Sequence, residues 1–481
     1  MLKVLFCTTG GYDEGKLYDR LARTSPRLAT VSGKRITSIG LRALGWMSGA
    51  TLTTLHFDKI DVNENDLLLL SQHCPLLKDL SLGMTSSNLP SDLIWVDMLE
   101  APKHYSVVQA VVRHCPNLET LTLNEWSITY ALAEAVASLV YLRSLRLHRC
   151  YDFTWHVFFT SLASLDLECL VLEYAQSFAN NLTIQSIAHS FPNLKTFSLI
   201  NTVLDDVSAA SIDLLIRSCE YLEEFCVSSR KLNSNNSPLS DTTLCLLSKH
   251  CPLIKRVELG GTFSDAALVA FTKATPDLRE LVVETLTETS IKALTKYCPK
   301  LEKLHATTVE APGASMCRLF QSCRQLSDLS MNKATKATLS CLAHKCPKLT
   351  NLQLSGTDDD AVSALVWSRW LQSLHLSDLT SVRATGLLKV IKGCTRLRKL
   401  TVDAHFPFAI ILSIPSIFKH IPRNRHYQAT ISTTAVSEDP NIESVTLPAV
   451  YCDGLVRFVL AVFSTIITTT CTALLYRLRR R

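Results

Sequence analysis

One stretch near the start of the chain has the spacing of a phosphate-binding loop. Residues 10 to 17 follow the pattern G-x-x-x-x-G-K, but Leu17 stands where such a loop needs Ser or Thr to hold magnesium. Asp13 and Glu14 put negative charge where bound phosphates need backbone donors and positive charge. The stretch therefore favours an ordinary repeat loop, and we expect no nucleotide or other cofactor.

Histidine and cysteine recur together, as in His73-Cys74 and His250-Cys251, but each pair lies in a different part of the chain. The cluster Cys341, His344 and Cys346 is too compact and too small for a standard zinc site. No H-E-x-x-H or G-x-S-x-G motif is present. The sequence therefore predicts a protein that is not an enzyme, with no catalytic residues, no metal and no small-molecule substrate.

Internal repetition is the strongest pattern in the sequence. Residues 115 to 123 read C-P-N-L-E-T-L-T-L, and the pattern C-P-x-L-x-x-L-x-L recurs along the chain, with Cys or Pro lost in some copies. About fifteen copies begin between residues 25 and 394, with a mean period of about 26 residues.

Each copy predicts one short strand followed by one helix. Leu-x-x-Leu-x-Leu puts alternate side chains on one face of a strand. The residues after it, for example 244 to 250, have helical spacing and end at Cys251-Pro252, where proline stops the helix. A single unit cannot bury its apolar face, so we expect stacked units that share one core, with the cysteines as buried thiols.

These repeats resemble the cysteine-containing leucine-rich repeat, whose units read like L-x-x-L-x-L followed by (I/L)-T-D-x-G-L. Residues 36 to 44, 239 to 244, 263 to 268 and 384 to 388 are similar to the second half of that unit. The resemblance covers residues 1 to about 402. It implies an α/β leucine-rich-repeat solenoid, a right-handed curved horseshoe with a parallel sheet on the concave face and helices on the convex face.

This type of repeat is best known from F-box/leucine-rich-repeat proteins, the substrate receptors of cullin-type ubiquitin ligases. The resemblance implies a non-catalytic protein-interaction module, with substrate recognition for such a ligase as its function and ligase subunits among its partners. No F-box is visible, and the chain opens with Leu2-x-x-Leu5-x-Cys7, which already fits a repeat strand. A membrane-tethered scaffold and a regulatory binder unrelated to ubiquitination therefore stay open as alternatives.

Composition bounds the choice of partner and compartment. Hydrophobic residues make up 47% and charged residues 19%, and the net charge is only +6. That balance does not favour nucleic acid as a partner. No secretory leader is visible, so we expect the cytoplasmic side of any membrane, where the cysteines stay reduced.

The concave face is the expected binding surface for a protein partner, because solenoids usually bind there. The outward positions of the strands carry a run of acidic residues, Glu224, Glu258, Glu280 and Glu284, which favours a basic partner segment. The other candidate contacts on this face are Arg146, His148, Arg256, Lys303, His305 and His375.

Three regions are expected along the chain. Residues 1–402 form the solenoid, with an insertion at about 86–105, and residues 403–454 form a cap and a partly disordered linker. Residues 455–481 resemble a tail anchor, because 458–476 carry no charge and an arginine-rich tip follows. The pattern favours a mitochondrial outer-membrane or peroxisomal anchor over one in the endoplasmic reticulum.

Overall fold

The computed structural model describes residues 4–7, 27–61, 64–84, 115–126, 128–150, 155–174, 180–229, 237–377, 384–403, 428–433 and 445–446. The chain divides into two compact units, Met1–Thr275 and Pro276–Arg481. Each unit is built from the same alternation of short strands and helices.

In the first unit the strands form a parallel sheet in which each strand pairs with the strand of the preceding repeat. The strands are β1 (Val4–Cys7), β2 (Thr30–Thr37), β3 (Thr54–Asp61), β4 (Asp79–Met84), β5 (Thr120–Asn124), β6 (Ser144–His148), β7 (Cys169–Glu173), β8 (Thr196–Thr202), β9 (Glu224–Ser229) and β10 (Arg256–Leu259).

Helices follow the strands and pack against one another on one side of this sheet. They are α1 (Ser38–Ser48), α2 (Glu64–His73), α3 (Tyr130–Ala137), α4 (Trp155–Ser161), α5 (Asn181–Ser190), α6 (Ala209–Ser218), α7 (Asp241–His250) and α8 (Asp265–Ala274). Polar residues begin several of them: the side chains of Thr129, Asn180 and Ser264 each accept a hydrogen bond from a first-turn amide.

The second unit repeats this arrangement. Its parallel strands are β11 (Glu280–Thr287), β12 (Lys303–Glu310), β13 (Asp328–Asn332), β14 (Asn351–Ser355), β15 (Ser373–Ser377), β16 (Lys399–Asp403) and β17 (Gln428–Thr433), and β18 (Val445–Thr446) pairs antiparallel with β17. Its helices are α9 (Glu288–Tyr297), α10 (Gly313–Ser322), α11 (Lys336–Lys345), α12 (Asp359–Ser363) and α13 (Ala384–Gly393), with a 3-10 turn at Ala364–Trp367. These parallel strands and alternating helices confirm the predicted α/β leucine-rich-repeat class.

The repeat leucines form the core. In one repeat of the first unit, Leu142, Leu145 and Leu147 are all fully buried. A cluster of aromatic rings fills the core of the neighbouring repeats. There the Phe159 ring stacks on that of Trp155 and contacts the Phe191 ring edge to face. Apolar area removed from water at each repeat drives the stacking.

The repeat cysteines that the structure describes are buried free thiols that donate hydrogen bonds. In the second unit, the Sγ of Cys323 donates to the carbonyl oxygen of Cys298 at 3.4 Å, and that of Cys394 donates to Leu365 at 3.1 Å. Burial raises the pKa of the Cys323 thiol to about 12, so the sulfur keeps its proton. The thiol thus fills a small apolar space and adds a hydrogen bond to a helix-end carbonyl of the preceding repeat.

Alternating charges also fix the register between repeats. The residue after the first leucine of each strand motif is charged, and its charge alternates between positive and negative from repeat to repeat across much of the first unit. The resulting ion pairs are Lys78–Glu119, Lys195–Glu168 and Lys255–Glu223, each at 2.6 Å. Each of these pairs is exposed or half-buried, so it contributes little stability by itself, but a slip by one repeat would put like charges side by side.

Several predictions fall outside the described residues: the phosphate-loop-like stretch 10–17, the insertion at about 86–105, and the anchor segment 458–476. Within the ranges that the structure describes, none of the helices has both the length and the apolar character needed to cross a bilayer. The predicted region 403–454 contains β17 and β18, and its role as a cap stays a prediction.

Candidate protein-binding face

The outward side of each sheet carries mostly polar residues, because side chains alternate between the two faces along a strand. In β6, Leu145 and Leu147 point into the core, while Ser144, Arg146 and His148 lie on the other face. We call this outward side the strand face. The pairing register sets neighbouring outward residues of adjacent strands side by side, so that Arg146 lies between Thr122 and Val171.

Arg146 and His148 differ in how far they are free to bind a partner. The Nδ1 atom of His148 lies 2.9 Å from the Glu173 carboxylate on the next strand. Arg146 is exposed, and the contact described for its guanidinium is with the Cys169 sulfur at 3.9 Å. Arg146 therefore offers a cation that a partner carboxylate can bind without displacing an existing ion pair.

Four successive repeats have a non-glycine residue in the left-handed region at or near the end of the strand: Glu125 (φ 65°), Arg149 (φ 50°), Tyr174 (φ 52°) and Asn201 (φ 56°). The amides of the first three donate to the strand of the following repeat, at 2.8, 2.8 and 3.1 Å. For a residue with a Cβ this conformation costs about 1 kcal/mol or more. The sheet hydrogen bonds hold the strained backbone in place.

The side chains at these strand ends contact one another. Arg149 lies 3.4 Å from the Glu125 carboxylate, and its guanidinium sits over the Tyr174 ring at 5.5 Å from the centroid. Together with the His148–Glu173 pair they form what we call the strand-end cluster: Glu125, His148, Arg149, Glu173 and Tyr174. Arginine and tyrosine are the residue types that most often supply binding energy in protein interfaces.

Sequence reasoning found His148 but missed the other members of this cluster. A partial signal for the strained position is present in other repeats. Gly356 occupies the equivalent place after β14 with φ 61°, and Lys333 occupies it after β13 with φ 47°. Glycine at this column of one repeat was the main sequence signal for the left-handed conformation, because Lys333 and the cluster residues have no intrinsic preference for it.

The predicted acidic run is not uniformly negative. On β10, the guanidinium of Arg256 lies 3.7 Å from the Glu224 carboxylate and 3.8 Å from that of Glu258. Glu258 also accepts a hydrogen bond from Ser228 at 3.2 Å. Arg256 therefore offsets much of the negative charge that Glu224 and Glu258 present in the first unit.

The other two acidic positions belong to the second unit, on β11. Glu280 lies opposite Lys303 in the pairing register of β11 and β12. Burial raises the pKa of Glu284, which disfavours its charged form. Among the remaining candidates of this unit, His375 lies opposite Gln353 on β14 and Thr401 on β16.

A histidine–aspartate pair recurs at the same place in both units. His305 on β12 lies 2.7 Å from Asp328 on β13, and His56 on β3 lies 2.9 Å from Asp79 on β4. The hydrogen bond to Asp79 is the main reason why the pKa of His56 is raised. Burial alone would raise the pKa of Asp328, but the hydrogen bond with His305 and nearby positive charge outweigh it, so this pKa is lowered.

The strand faces are polar surfaces suited to binding a partner. No three His, Cys, Asp or Glu side chains in the described ranges are grouped to hold a metal ion. What the strand faces present is a dense set of charged, hydroxyl and amide groups held on a rigid sheet. Parallel strands with such a face, backed by helices, define a leucine-rich-repeat protein, a class whose sheet side is the usual site of partner binding.

The sequence is similar to that of F-box/LRR-repeat protein 4 of Bos taurus, with 21% identity over 256 residues. The match covers 48% of this chain and 41% of the relative, so the chain spans less than half of that protein's length. No protein-family model matches the sequence. The similarity confirms the resemblance of the repeats to those of F-box/LRR-type proteins.

Two solved structures are similar to this chain at low identity. A chain of the yeast Rad7–Elc1 complex is 14% identical, with a TM-score of 0.45 and coverage of 81% of this chain and 82% of that one. An LRR protein of Leptospira interrogans is also 14% identical, with a TM-score of 0.37 and coverage of 88% and 92%.

Proposed function

We propose that this protein recognises a protein partner on its strand face and presents it to a cullin-type ubiquitin ligase. The observation that carries the proposal is the sequence similarity to an F-box/LRR-repeat protein. The strand-end cluster supports it with a contact surface of the expected chemistry. Because a fold alone does not define a function, the ligase role needs its own test.

Within the first unit we place the main contact at Arg146 and the strand-end cluster. Arg149 has 62% of its side chain exposed, so a partner can reach it, while Tyr174 and Glu125 hold it in position. This preorganisation lowers the entropy lost when a partner binds. A partner segment with a carboxylate and an apolar side chain fits this surface.

The test is a pull-down of the full-length protein from its own cells, analysed by mass spectrometry. A double variant, Arg149→Ala with Tyr174→Ala, is compared with a matched control, Arg217→Ala with Tyr221→Ala. The control changes the same residue types at exposed positions away from the strand face. We expect ligase subunits with all three proteins, and loss of the recognised partner with the double variant alone.

Two further measurements, of the level and of the ubiquitination of the recognised partner, decide whether it is a ligase substrate. If the protein delivers it for degradation, the partner accumulates when the gene is deleted, and its ubiquitination falls. Absence of every ligase subunit, together with unchanged partner levels, would reject the ligase role. Equal capture of the partner by the double variant and the control would reject the proposed contact surface.

The acidic positions of the second unit form a separate proposed contact for a basic segment. Glu280 and Glu284 are reversed to Lys in the same pull-down. We expect loss of a basic partner, and unchanged binding of every co-purifying protein removes this part of the proposal.

A second candidate function is a membrane-tethered scaffold with no link to ubiquitination. It is favoured by residues 458–476, a run of nineteen residues without a charged side chain. A protein shortened to end at Asp453 separates the two candidates. A scaffold of this kind loses its membrane-associated partners on shortening and brings down no ligase subunits in either form.

A further inference from the structure

The turns that lead from helices into strands lie side by side along one edge of the second unit. Backbone hydrogen bonds join them in order, from Thr350 to Ser327 (2.9 Å), from Gln372 to Thr350 (2.8 Å) and from Arg398 to Gln372 (2.7 Å). Neighbouring strands are about 4.8 Å apart, so equivalent turn residues form closely spaced rows.

This edge is strongly basic. Segments 321–327, 344–350, 366–372 and 392–398 contain no Asp or Glu. Exposed cations occupy it, and we call them the basic edge: Arg324, Lys345, Lys348, Arg369, Lys392, Arg396 and Arg398.

None of these cations takes part in an ion pair with the residues that the structure describes in this unit. The turns immediately before them differ, because Lys300 pairs with Asp277 there and Arg279 pairs with Glu302. The absence of carboxylates is thus specific to the later repeats of the unit. Clustered cations without nearby carboxylates create a positive electrostatic potential. This edge therefore attracts anions.

Two exposed tryptophans lie within the basic edge. Trp367 is 59% exposed and Trp370 is 46% exposed, although large aromatic side chains are usually buried. The guanidinium of Arg396 lies over the Trp370 ring at 3.9 Å, and the His344 ring lies 6.4 Å from that of Trp367. The two indoles are therefore held among cations rather than in the core.

We propose that the basic edge docks on the surface of an anionic lipid membrane. Indole rings prefer the headgroup level of a bilayer, where the apolar ring and the polar N–H both find suitable surroundings. Lysine and arginine near anionic lipids each raise affinity by about fivefold at physiological salt. A row of unpaired cations with two indoles among them combines both contributions.

Other anions fit the edge less well. A nucleic-acid base needs an open aromatic face for stacking, and this edge offers only two indoles, one of which has a face covered by Arg396. An acidic protein segment would pair with a few fixed cations through matched carboxylates. The rows instead repeat cations over four successive turns, which suits a partner with many mobile negative charges.

The proposal is tested with the full-length protein and vesicles of phosphatidylcholine, with and without phosphatidylserine. The triple variant Lys348→Gln, Arg369→Gln and Arg396→Gln removes three cations from the basic edge. The control variant Arg279→Gln, Lys292→Gln and Lys300→Gln removes three cations of the same unit that are already ion-paired. Thermal unfolding and circular dichroism verify that both variants keep the fold.

We expect tighter binding of the unmodified protein to the phosphatidylserine vesicles. The triple variant should lose about 100-fold in affinity for them, from about fivefold for each cation, while the control changes little. A further variant, Trp367→Ser with Trp370→Ser, should also bind more weakly. Its control is Trp46→Ser, which removes an exposed indole of the first unit.

A local measurement keeps the result independent of any other membrane-binding segment. Hydrogen exchange with mass spectrometry should show slower exchange in peptides covering 366–372 and 392–398 when phosphatidylserine vesicles are present. Unchanged exchange there, or equal binding by the triple variant and its control, overturns the proposal. Binding to polyglutamate or to a single-stranded oligonucleotide, with no binding to vesicles, also overturns it and assigns the edge to that anion.

Discussion

Replacing Phe159 by alanine should destabilise the core of the first unit more than any substitution at its surface. Phe159 is fully buried on α4, 6.0 Å from the Trp155 ring in a stacked arrangement. Edge-to-face contacts join it to Phe158 at 5.3 Å and to Phe191 at 6.2 Å. The Phe191 contact reaches the next repeat, so the ring holds two repeats together.

The expected loss follows from the size of the cavity and the number of ring contacts. Truncation of a buried phenylalanine to alanine costs about 3–5 kcal/mol. The three aromatic contacts, worth about 0.5–1.5 kcal/mol each beyond area burial, favour the upper half of that range. Since 1.4 kcal/mol is a factor of ten, a loss of about 4 kcal/mol or more should lower the protection of the surrounding amides by about 700-fold or more.

Hydrogen exchange with mass spectrometry measures this effect in peptides from α4 to β8. The control is Val157→Ala on the same helix, where the side chain is 36% exposed and the expected change is within about 0.5 kcal/mol. Equal effects of the two substitutions would refute the reasoning. A loss below about 1 kcal/mol for Phe159→Ala would do so as well.

Three further predictions concern single side chains. Cys323→Ala should lower the free energy of unfolding by about 1 kcal/mol, because it removes the thiol hydrogen bond and a fully buried sulfur atom, whereas Ala at the exposed Cys245 should change it little; urea denaturation measures both. The raised pKa of His56 means that its pair with Asp79 stabilises the fold fully below pH about 6.5 and loses that effect as pH rises through the folded-state pKa. Unfolding curves of Asp79→Asn should therefore show a smaller decline of stability with pH over that window, and an unchanged decline contradicts the assignment. Gly393→Ala should destabilise the second unit by about 1–3 kcal/mol, because the added Cβ would lie 2.2 Å from a neighbouring side chain; a raised melting temperature would show that the site can expand.

The recurring leucine motif was enough to predict the fold, because its information is local and periodic. Leu142-x-x-Leu145-x-Leu147 specifies one strand with two outward positions, and repetition specifies that the strands stack. The same periodicity predicted that Arg146 and His148 would face outward, since side chains alternate along any strand. Burial of the cysteines also followed from their fixed place in each repeat.

The tertiary structure decided which side chains of different repeats contact one another. Arg149 meets Glu125 and Tyr174, which are 24 and 25 positions away in the sequence, through repeats of unequal length. Likewise, the position of Arg256 between Glu224 and Glu258 follows from register and side-chain direction rather than from residue type.

The sequence by itself thus determined the repeat class, the strand and helix of each unit, and the side of the sheet on which each residue lies. The tertiary structure alone decided which outward residues neutralise one another, where strand ends are strained, and which cations of the turns lack a carboxylate. The physical reason is that pattern and propensity act within one repeat, whereas ion pairs and ring contacts depend on distances between repeats. Those distances are set only when the repeats stack.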